Sequence, residues 1–448
     1  MLKREDNELV TRVGPGTLMG DLFRRFWLPA LLPNELPNPD CPPVRLRLLG
    51  EDLIAFRDSN DRIGILHEHC PHRRASLFYG RNEDCGLRCV YHGWKFDVDG
   101  NCVDQPSEPP ETNFKHKVRQ VSYPAREWGG FIWVYMGPTE EMPELPNLEW
   151  AMLPANQRWQ AKWLYEANYA QGIEGELDSC HTGFLHDTST PATDLTAGMA
   201  KASEYWAADK APALTVAQTD YGYYYGSRRN YPGGQYYWRV TQWLLPCFAI
   251  IPMPTWPISC RAYVPVDDET TLVFNTSYNP EAPLTEADLK PLVSGLGPAP
   301  KLIPGTFSPA LNARNSYGID REVQRRRNFT GIEGINNQDR AIVESMGPIC
   351  DRWNEHLGTS DVAIIAMRRR MLDAAKSLNA GSSPKAARDG SLYQVRPLDI
   401  IAPIADLQTL AATHSDRMRI AARSGKSVGP GDRDAEKPAE KQIQSLTN

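Results

Sequence analysis

The stretch CPHRRASLFYGRNEDCGLRCVYHGW, residues 70–94, decides how the N-terminal part of the chain folds. It contains two short brackets with one cysteine and one histidine each, Cys70 with His72 and Cys89 with His92. Sixteen residues separate the two brackets. The nine cysteines of the chain are scattered and odd in number, so thiolates this close to imidazoles indicate metal ligands rather than disulfide partners. The four side chains predict a metal centre.

Two kinds of metal centre fit this ligand set. A structural zinc ion accepts a tetrahedral Cys2His2 set, although zinc fingers usually pair cysteine with cysteine and histidine with histidine. A Rieske [2Fe–2S] centre takes two cysteines on one iron and two histidines on the other. Neutral imidazoles lower the negative charge around the cluster, which raises its reduction potential above that of all-cysteine clusters. The mixed brackets favour the iron–sulfur centre, and zinc is the alternative.

Length and charge restrict the class of protein. A chain of 448 residues predicts two domains. A net charge of −6 does not favour binding to nucleic acid or to an anionic membrane. No apolar run approaches the ~20 residues that span a bilayer, and the first ten residues lack the apolar core of a secretory signal. We expect a cytoplasmic protein.

The pattern of apolar residues predicts β-structure in the first part of the chain. An amphipathic helix is predicted over 17–30, with Pro29 as its end. Short β-like runs separated by Gly, Pro and Asp follow, with a hairpin turn at 97–101. The proline-rich segment 138–154 is predicted to lead out of this all-β module.

The second part of the chain mixes helix and strand signals. Helical patterning surrounds residues 160–187, and aromatic and β-branched runs over 203–278 predict an antiparallel sheet. The proline-rich residues 279–310 are predicted to be loop. Two helices are predicted after it, over 337–347 and from Ser360 or Asp361 to a stop at Gly381.

Residues 171–187, QGIEGELDSCHTGFLHD, suggest a second metal site. His181 and His186 are five residues apart, so a regular helix would turn them about 140° away from each other. If both bind one metal ion, the helix has to break, and Gly183 makes a break there plausible. Asp178 would share a helix face with His181 and hydrogen-bond its imidazole. The alternative is that these histidines are ordinary surface or core residues.

Both motifs, in this order, resemble the terminal oxygenase α-subunit of Rieske non-haem iron aromatic-ring-hydroxylating oxygenases. The first matches C-x-H-x(15–17)-C-x2-H followed by Gly-Trp, and the second matches E-G-x-x-D-S-x-H-x4-H. The resemblance extends from about residue 8 to 372 and is greatest for the phthalate 4,5-dioxygenase branch. The strings RLLGEDLIAFRD and ESMGPICDR contribute to it.

The resemblance implies an α+β fold with two domains. It implies an all-β Rieske [2Fe–2S] domain over 44–155 and a helix-grip-like catalytic domain with an antiparallel sheet over 156–420. Residues 1–43 would form a helical segment that packs on the catalytic domain. The polar residues 421–448, which lack aromatic side chains, are predicted to be a disordered tail.

The resemblance also implies a [2Fe–2S] cluster and a mononuclear Fe2+ in each subunit. Cys70 and Cys89 would hold one iron of the cluster, and His72 and His92 the other. His181, His186 and a carboxylate would hold the mononuclear iron. In residues 336–352 the carboxylate that matches the family's ligand is Asp339; its local competitors are Glu344 and Asp351.

Electrons in the family pass from the cluster of one subunit to the iron of its neighbour. The resemblance assigns this link to Asp178, between His92 of one chain and His181 of the next. It implies a homotrimer or a hexamer of stacked trimers. The chain shows no convincing nucleotide-binding motif, so a separate NADH-dependent reductase with FMN and [2Fe–2S] is expected to supply electrons.

The implied reaction is cis-dihydroxylation of an aromatic, carboxylated compound with O2, as in the breakdown of phthalates, halobenzoates or phenoxybenzoates. The alternatives are a monooxygenase or O-demethylase and, outside the enzymes, a Rieske electron carrier. A carrier needs only the first ~120 residues and leaves His181, His186 and Asp339 unexplained. The candidate substrate contacts are a hydroxyl, three cations and four aromatic side chains: Ser179, Arg228, Arg229, Arg239, Tyr225, Trp243, Phe248 and Trp256. Most of these aromatic residues have the sheet core as their alternative.

Overall fold

The computed structural model describes residues 2–187 and 195–420. The predicted disordered tail, 421–448, lies outside the described residues. Within them the strands form four antiparallel sheets. In chain order the strands are β1 (Trp27–Leu31), β2 (Val44–Leu48), β3 (Glu51–Arg57), β4 (Ile63–His67), β5 (Arg81–Glu83), β6 (Gly86–Arg88), β7 (Lys95–Phe96), β8 (Cys102–Asp104), β9 (Ser122–Tyr123), β10 (Ala125–Trp128), β11 (Phe131–Tyr135), β12 (Arg158–Tyr165), β13 (Ala213–Gln218), β14 (Gly222–Tyr231), β15 (Gln235–Leu244), β16 (Phe248–Ile251), β17 (Ile258–Pro265), β18 (Thr271–Tyr278) and β19 (Leu398–Ala402).

The helices flank the largest sheet. None of them in the described ranges is long and apolar enough to cross a bilayer. In chain order they are α1 (Arg4–Thr11), α2 (Leu18–Arg24), α3 (Tyr169–Leu177), α4 (Ala197–Ala208), α5 (Glu286–Val293), α6 (Arg321–Arg326), α7 (Ile335–Ser345), α8 (Val362–Asn379), α9 (Leu407–Thr413) and α10 (Ser415–Met418).

Two small sheets carry the cysteine–histidine brackets. One has the strand order β2-β3-β4-β9 and the other β5-β6-β7-β8. Cys70 and His72 follow β4, and Cys89 and His92 lie between β6 and β7. The hairpin predicted at 97–101 is confirmed, since it joins β7 to β8.

The large sheet is the scaffold of the second half of the chain. Its strand order is β12-β18-β17-β16-β15-β14-β13, and β19 also pairs with β15. Every residue of β18 is buried, as expected of a strand covered on both faces. Helix α3 packs on β16 and β17, and α7 packs on α3. This arrangement confirms the predicted α+β class with an antiparallel sheet.

The first 43 residues contact the large-sheet region at several points. Asn7 of α1 donates a hydrogen bond to the carbonyl of Cys350 over 3.1 Å. The buried ammonium of Lys162, on β12, pairs with Glu35 at 2.6 Å. These contacts support the packing expected for 1–43, while the domain boundaries stay a prediction.

The predicted helix over 17–30 is wrong in its second half. Helix α2 ends at Arg24, and Trp27–Leu31 is strand β1, buried throughout and paired with β11. Pro29 therefore lies inside a strand, at the edge of the sheet β1-β11-β10. An edge strand tolerates proline because one side of it has no ladder of hydrogen bonds to lose.

Two further predictions are corrected by tertiary pairing and capping. The start of the predicted helical region, Arg158–Tyr165, is β12, which pairs residue by residue with β18. The predicted loop 279–310 contains α5, which begins with a capping box between Thr285 and Asp288. The pairing of β12 is not visible in the local helical period. The capping box of α5 is a weaker local signal than the prolines around it.

Candidate active site

Three side chains from two helical segments converge beside the large sheet. His181 and His186 follow α3, and Asp339 lies on α7. The potential ligand atoms of these three residues lie within 4.8 Å of one another. Oδ1 of Asp339 is 3.1 Å from Nε2 of His186 and 3.6 Å from Nε2 of His181.

The two histidines meet because α3 ends before either of them. Asp178 is the C-terminal cap of α3, and the backbone N–H groups of Cys180 and His181 donate to its Oδ1 over 2.6 and 3.2 Å. A tight turn over His181–Gly183 follows. The helix therefore ends at Asp178 and not near Gly183 as predicted. The Asp178 side chain accepts from backbone amides that a continued helix would bond to backbone carbonyls.

The hydrogen bonds of Gln338 fix the tautomer of His186. Nε2 of Gln338 donates to the carbonyl of Ile332 over 2.9 Å, so its Oε1 faces Nδ1 of His186 at 2.7 Å. Nδ1 is then the donor and Nε2 carries a lone pair. That lone pair faces the Asp339 carboxylate.

The donor set fits a divalent metal ion. Two acceptors 3.1 Å apart repel each other unless a cation or proton lies between them. Ligands about 2.1 Å from one ion and at right angles are about 3 Å apart. Two imidazoles and one carboxylate with open positions form the facial set typical of non-haem Fe(II) oxygenases.

The charges of the site are mutually supporting. Burial opposes ionisation of Asp339, but the facing His186 and His181, in their protonated forms, hold the pKa of this carboxyl below its ordinary value. The pKa of His181 is raised despite burial, because Asp178 and Asp339 face it. Oδ2 of Asp178 is 3.8 Å from Nδ1 of His181, an ion-pair distance that is too long for the predicted hydrogen bond.

The competing carboxylates lie elsewhere. Glu344 is buried and accepts hydrogen bonds from Arg340 and Tyr317. Asp351 is exposed and follows the end of α7 by six residues. Asp339 is thus the carboxylate that the structure brings to the two histidines.

The four side chains of the first motif also converge. Cys70 and Cys89 are buried, whereas His72 and His92 are partly exposed, with ring centroids 4.5 Å apart. Trp94 stacks on His72 at 4.3 Å. Thiols inside and imidazoles outside suit a cluster whose histidine-bound iron lies nearer the surface.

The turn after His92 requires glycine. Gly93 has a φ of +77°, and a Cβ built on it would lie 2.5 Å from Cγ of Pro106. Both the backbone conformation and the lack of space exclude larger residues. The Gly-Trp pair of the motif thus shapes the second bracket.

A cavity adjoins the three converging side chains. It lies between α3, α7 and strands β15 and β17. Aromatic and aliphatic side chains line it together with polar side chains of the sheet. Its lining includes Glu176, Trp206, Tyr225, Arg239, Arg261 and Tyr263.

Comparison with known proteins assigns each half of the chain to a protein family. Residues 26–123 match the Rieske [2Fe-2S] domain family, and residues 134–409 match the family described as LigXa C-terminal domain like. The chain is 42% identical to the phthalate 4,5-dioxygenase oxygenase subunit of Pseudomonas putida, over 86% of this chain and 88% of that protein. The chain belongs to the Rieske non-haem iron oxygenases.

Other relatives of this Rieske oxygenase agree. It is 39% identical to the 3-chlorobenzoate-3,4-dioxygenase oxygenase subunit of Comamonas testosteroni, over 88% of this chain and 93% of that protein. A solved structure of dicamba monooxygenase bound to dicamba has the same fold, with a TM-score of 0.56, 17% identity and coverage of 80% and 99%. The predicted [2Fe–2S] cluster and catalytic iron are confirmed, and the zinc alternative is wrong.

The structure separates the candidate substrate contacts of this oxygenase. Arg239 and Tyr225 line the cavity. The hydroxyl of Ser179 instead donates to Ser227 over 2.9 Å, and Arg228 extends over the ring of Tyr236. The other predicted contacts also lie outside the lining, in the sheet core or beside it: Arg229, Trp243, Phe248 and Trp256.

Three of these residues already have their contacts within the fold. Trp243 packs on Tyr223 at 5.0 Å, and Phe248 packs on Trp133 at 6.1 Å, so their apolar surface is already buried. Arg229 donates to the carbonyl of Ser179 over 2.7 Å. The prediction of a substrate contact is carried forward only for Arg239 and Tyr225.

Several cavity residues escaped the sequence analysis. Arg261 and Tyr263 alternate along β17, as side chains on one face of a strand do. Glu176 lies two residues before Asp178 in the second motif. The alternation was a usable signal, but only the fold shows which face of the sheet meets the metal site.

Proposed function

We propose that this Rieske oxygenase hydroxylates an aromatic carboxylate by cis-dihydroxylation, with O2 and electrons from a separate reductase. The observation that carries this proposal is the placement of Arg239 in a mainly apolar cavity beside His181, His186 and Asp339. Flat aromatic rings suit such walls, and a cation suits a carboxylate.

Arg239 is buried and forms no ion pair among the described residues; Asp399, opposite it on β19, accepts a hydrogen bond from Tyr237 instead. Arg239 is 5% exposed, and its Nη2 donates to the carbonyl of Pro252 over 3.3 Å. Nε has no hydrogen-bond partner among the described residues. The guanidinium lies 4.8 Å from the ring of Trp206. A buried cation without an ion pair is costly, so an anionic group of the substrate would stabilise it.

The other cavity arginine is already neutralised. Nη1 of Arg261 pairs with Glu176 at 2.8 Å, and Nη2 donates to the carbonyl of Pro298 over 2.9 Å. Arg261 therefore offers less to a substrate carboxylate than Arg239 does. The names of two relatives, a phthalate and a chlorobenzoate dioxygenase, refer to aromatic carboxylates and support the same substrate class.

We propose that His181, His186 and Asp339 hold the catalytic iron, and that Cys70, Cys89, His72 and His92 hold the cluster. When bound, the iron supplies O2 activation at its open positions. Asp339 supplies the negative charge, and the bond between His186 and Gln338 keeps Nε2 of that imidazole unprotonated.

We further propose that Asp178 connects His181 to His92 of a neighbouring chain. The side chain of Asp178 is 27% exposed, and two backbone amides fix its Oδ1. His92 is partly exposed as well, so both groups are accessible to another subunit. We propose a homotrimer or a hexamer of stacked trimers, which receives electrons from an NADH-dependent reductase with FMN and [2Fe–2S].

A reconstituted assay tests the proposal. The purified oxygenase is expected to contain about three irons and two acid-labile sulfides per chain. With a reductase, NADH and O2, it should convert aromatic carboxylates into cis-dihydrodiols, which chromatography and mass spectrometry identify in a panel that includes phthalates, halobenzoates and phenoxybenzoates. O2 consumption without oxygenated product from any aromatic acid would contradict the proposed substrate class.

A further inference from the structure

Glu176 is a second polar group of the substrate cavity. It lies on α3, lines the cavity, and its side chain is only 3% exposed. Its Oε2 accepts hydrogen bonds from Nη1 of Arg261, over 2.8 Å, and from the hydroxyl of Tyr263. Its Oε1 is buried and has no hydrogen-bond partner among the described residues.

The surroundings of Glu176 fix which oxygen stays free. Arg261 is held by two further hydrogen bonds, from Nε to Asn275 over 3.2 Å and from Nη2 to the carbonyl of Pro298. Burial and the facing Glu176 raise the pKa of Tyr263, so its phenol stays protonated and donates. Both donors hold Oε2 in place, which leaves Oε1 as the free acceptor.

Two other buried glutamates, Glu344 and Glu174, leave neither oxygen free. Glu344 lies in a similar group with an arginine and a tyrosine. Its Oε1 accepts from Nε of Arg340 over 3.2 Å, and its Oε2 accepts from the hydroxyl of Tyr317. Both oxygens of Glu174 accept from Arg352, over 2.9 and 3.0 Å. Several buried side-chain atoms of the described residues lack a hydrogen-bond partner, and three of them belong to residues that line the cavity: Oε1 of Glu176, Nε of Arg239 and Nε1 of Trp206. Because buried polar atoms are usually satisfied, a molecule bound in the cavity is a suitable partner for them.

We propose that Oε1 of Glu176 accepts a hydrogen bond from the substrate, which therefore carries a ring hydroxyl or amino group in addition to its carboxylate. This inference rests on the proposed function, in which Arg239 binds the carboxylate. An ionised carboxylate only accepts hydrogen bonds, so it selects a donor and repels a second carboxylate. The cavity is thus matched to hydroxy- or aminobenzoates rather than to benzene dicarboxylates.

The variant Glu176→Gln tests this assignment because it replaces the free acceptor with a hydrogen-bond donor. Arg261 and Tyr263 are both donors here, so the amide oxygen takes the place of Oε2 and the NH2 group takes the place of Oε1. We expect the affinity for hydroxy- and aminobenzoates to fall about tenfold or more, because a charge-assisted hydrogen bond is lost. The affinity for phthalate-type dicarboxylates should rise, since the free group has become a donor.

Binding is measured on the holoenzyme by calorimetry, and kcat/KM is measured with the reductase. The matched control is Glu344→Gln, which makes the same change in a similar buried group outside the cavity lining. We expect this control to leave the ratio of the two affinities at its wild-type value. A merely structural role of Glu176 predicts the same unchanged ratio for Glu176→Gln.

The outcomes separate the two proposals. If Glu176→Gln keeps the wild-type ratio while the enzyme still oxygenates aromatic acids, the assignment of Glu176 fails and the proposed function stands. If wild type neither binds nor oxygenates any aromatic acid, both fail. If the variant does not fold, the relative affinities of the wild-type protein test the inference. Tighter binding of the hydroxy- or aminobenzoate than of the dicarboxylate supports the inference, and the reverse order overturns it.

Discussion

His186 donates a hydrogen bond through Nδ1 to Oε1 of Gln338, over 2.7 Å, and this contact decides which imidazole nitrogen faces Asp339. Replacing Gln338 by leucine removes the acceptor and frees the tautomer and the ring orientation. We expect the affinity for the mononuclear iron to fall about 10- to 100-fold, as for other partners of metal-binding histidines. Anaerobic titration of the iron-depleted site with Fe2+ or Co2+ measures the effect.

The control for that variant is Gln338→Glu. A carboxylate keeps the acceptor for Nδ1 of His186, although it loses the donor to Ile332. We expect this variant to bind iron more tightly than the leucine variant, with the [2Fe–2S] absorbance unchanged in both. Equal iron affinity in wild type and Gln338→Leu would show that the tautomer does not depend on this contact.

The convergence of the candidate cluster ligands could be predicted from the sequence because their spacing is local. Two residues separate Cys89 from His92 and one separates Cys70 from His72, so a single turn presents each pair. The hairpin at 97–101 was predictable for the same reason. The geometry between His181 and His186 was only half predictable: a break was required, but its position depends on the hydrogen bonds of Asp178.

Long-range pairing explains what could not be predicted. Trp27–Leu31 is a strand because β11 pairs with it more than a hundred residues later, which its own pattern does not reveal. The cavity likewise combines α3 with strands distant in sequence. Arginine and aromatic residues occur throughout 221–263, and only the fold distinguishes Arg239, in the cavity, from Arg228, outside it.

Arg239→Met should weaken the binding of aromatic carboxylates. The change removes the cation but keeps an apolar chain of similar length beside Trp206. We expect a loss of about 10- to 100-fold in affinity, equivalent to a charge-assisted hydrogen bond of about 1.5–3 kcal/mol. Calorimetry with the acid and with its neutral amide separates the two contributions, since the amide should lose much less.

Arg228→Met is the matched control for that experiment. Arg228 lies on the adjacent strand β14, donates to the carbonyl of Ala405, and does not line the cavity. We expect its replacement to leave substrate affinity within about twofold of wild type. Equal losses from both variants would mean that charge on the sheet as a whole, rather than Arg239, attracts the substrate.

Asp399 is expected to make stability depend on pH. Burial raises the pKa of this carboxyl from 3.8 to about 6, against the effect of the hydroxyl of Tyr237, which donates to it over 2.7 Å. Because the folded protein binds this proton more tightly than the unfolded chain, the contribution to stability is present below about pH 4 and is lost as pH rises through 6. Asp399→Asn should therefore increase the free energy of unfolding by about 1–2 kcal/mol near pH 8.

The gain of Asp399→Asn should shrink toward pH 5, because the wild-type carboxyl is then mostly protonated. Calorimetric melting of both proteins at the two pH values checks this dependence. The exposed Asp373 on α8 provides the control, and Asp373→Asn should change the melting temperature little at either pH. A gain from Asp399→Asn that is equal at pH 8 and pH 5 would contradict the raised pKa.

Asp178→Asn should slow electron transfer without disturbing either metal site. Asparagine keeps an oxygen that accepts from the amides of Cys180 and His181, so the end of α3 should be preserved. The charge that faces His181 is lost. We expect wild-type cluster absorbance and iron content, and a fall in turnover of about 10- to 100-fold. Single-turnover experiments on the prereduced protein, which follow oxidation of the cluster by O2 and substrate, measure the effect.

Mixed oligomers test whether that electron path crosses between chains. His181→Ala chains should lack a functional iron site, and His92→Ala chains a functional cluster, so neither homo-oligomer should turn over. When the two variants are coassembled, an intact His92 of one chain lies against an intact Asp178 and His181 of another in a fraction of the contacts. We expect activity to reappear in proportion to that fraction. Coassembled oligomers that stay inactive would show that electrons pass within one chain, since no chain then has both an intact cluster and an intact iron site. Full activity of Asp178→Asn would show that the electron path does not use Asp178.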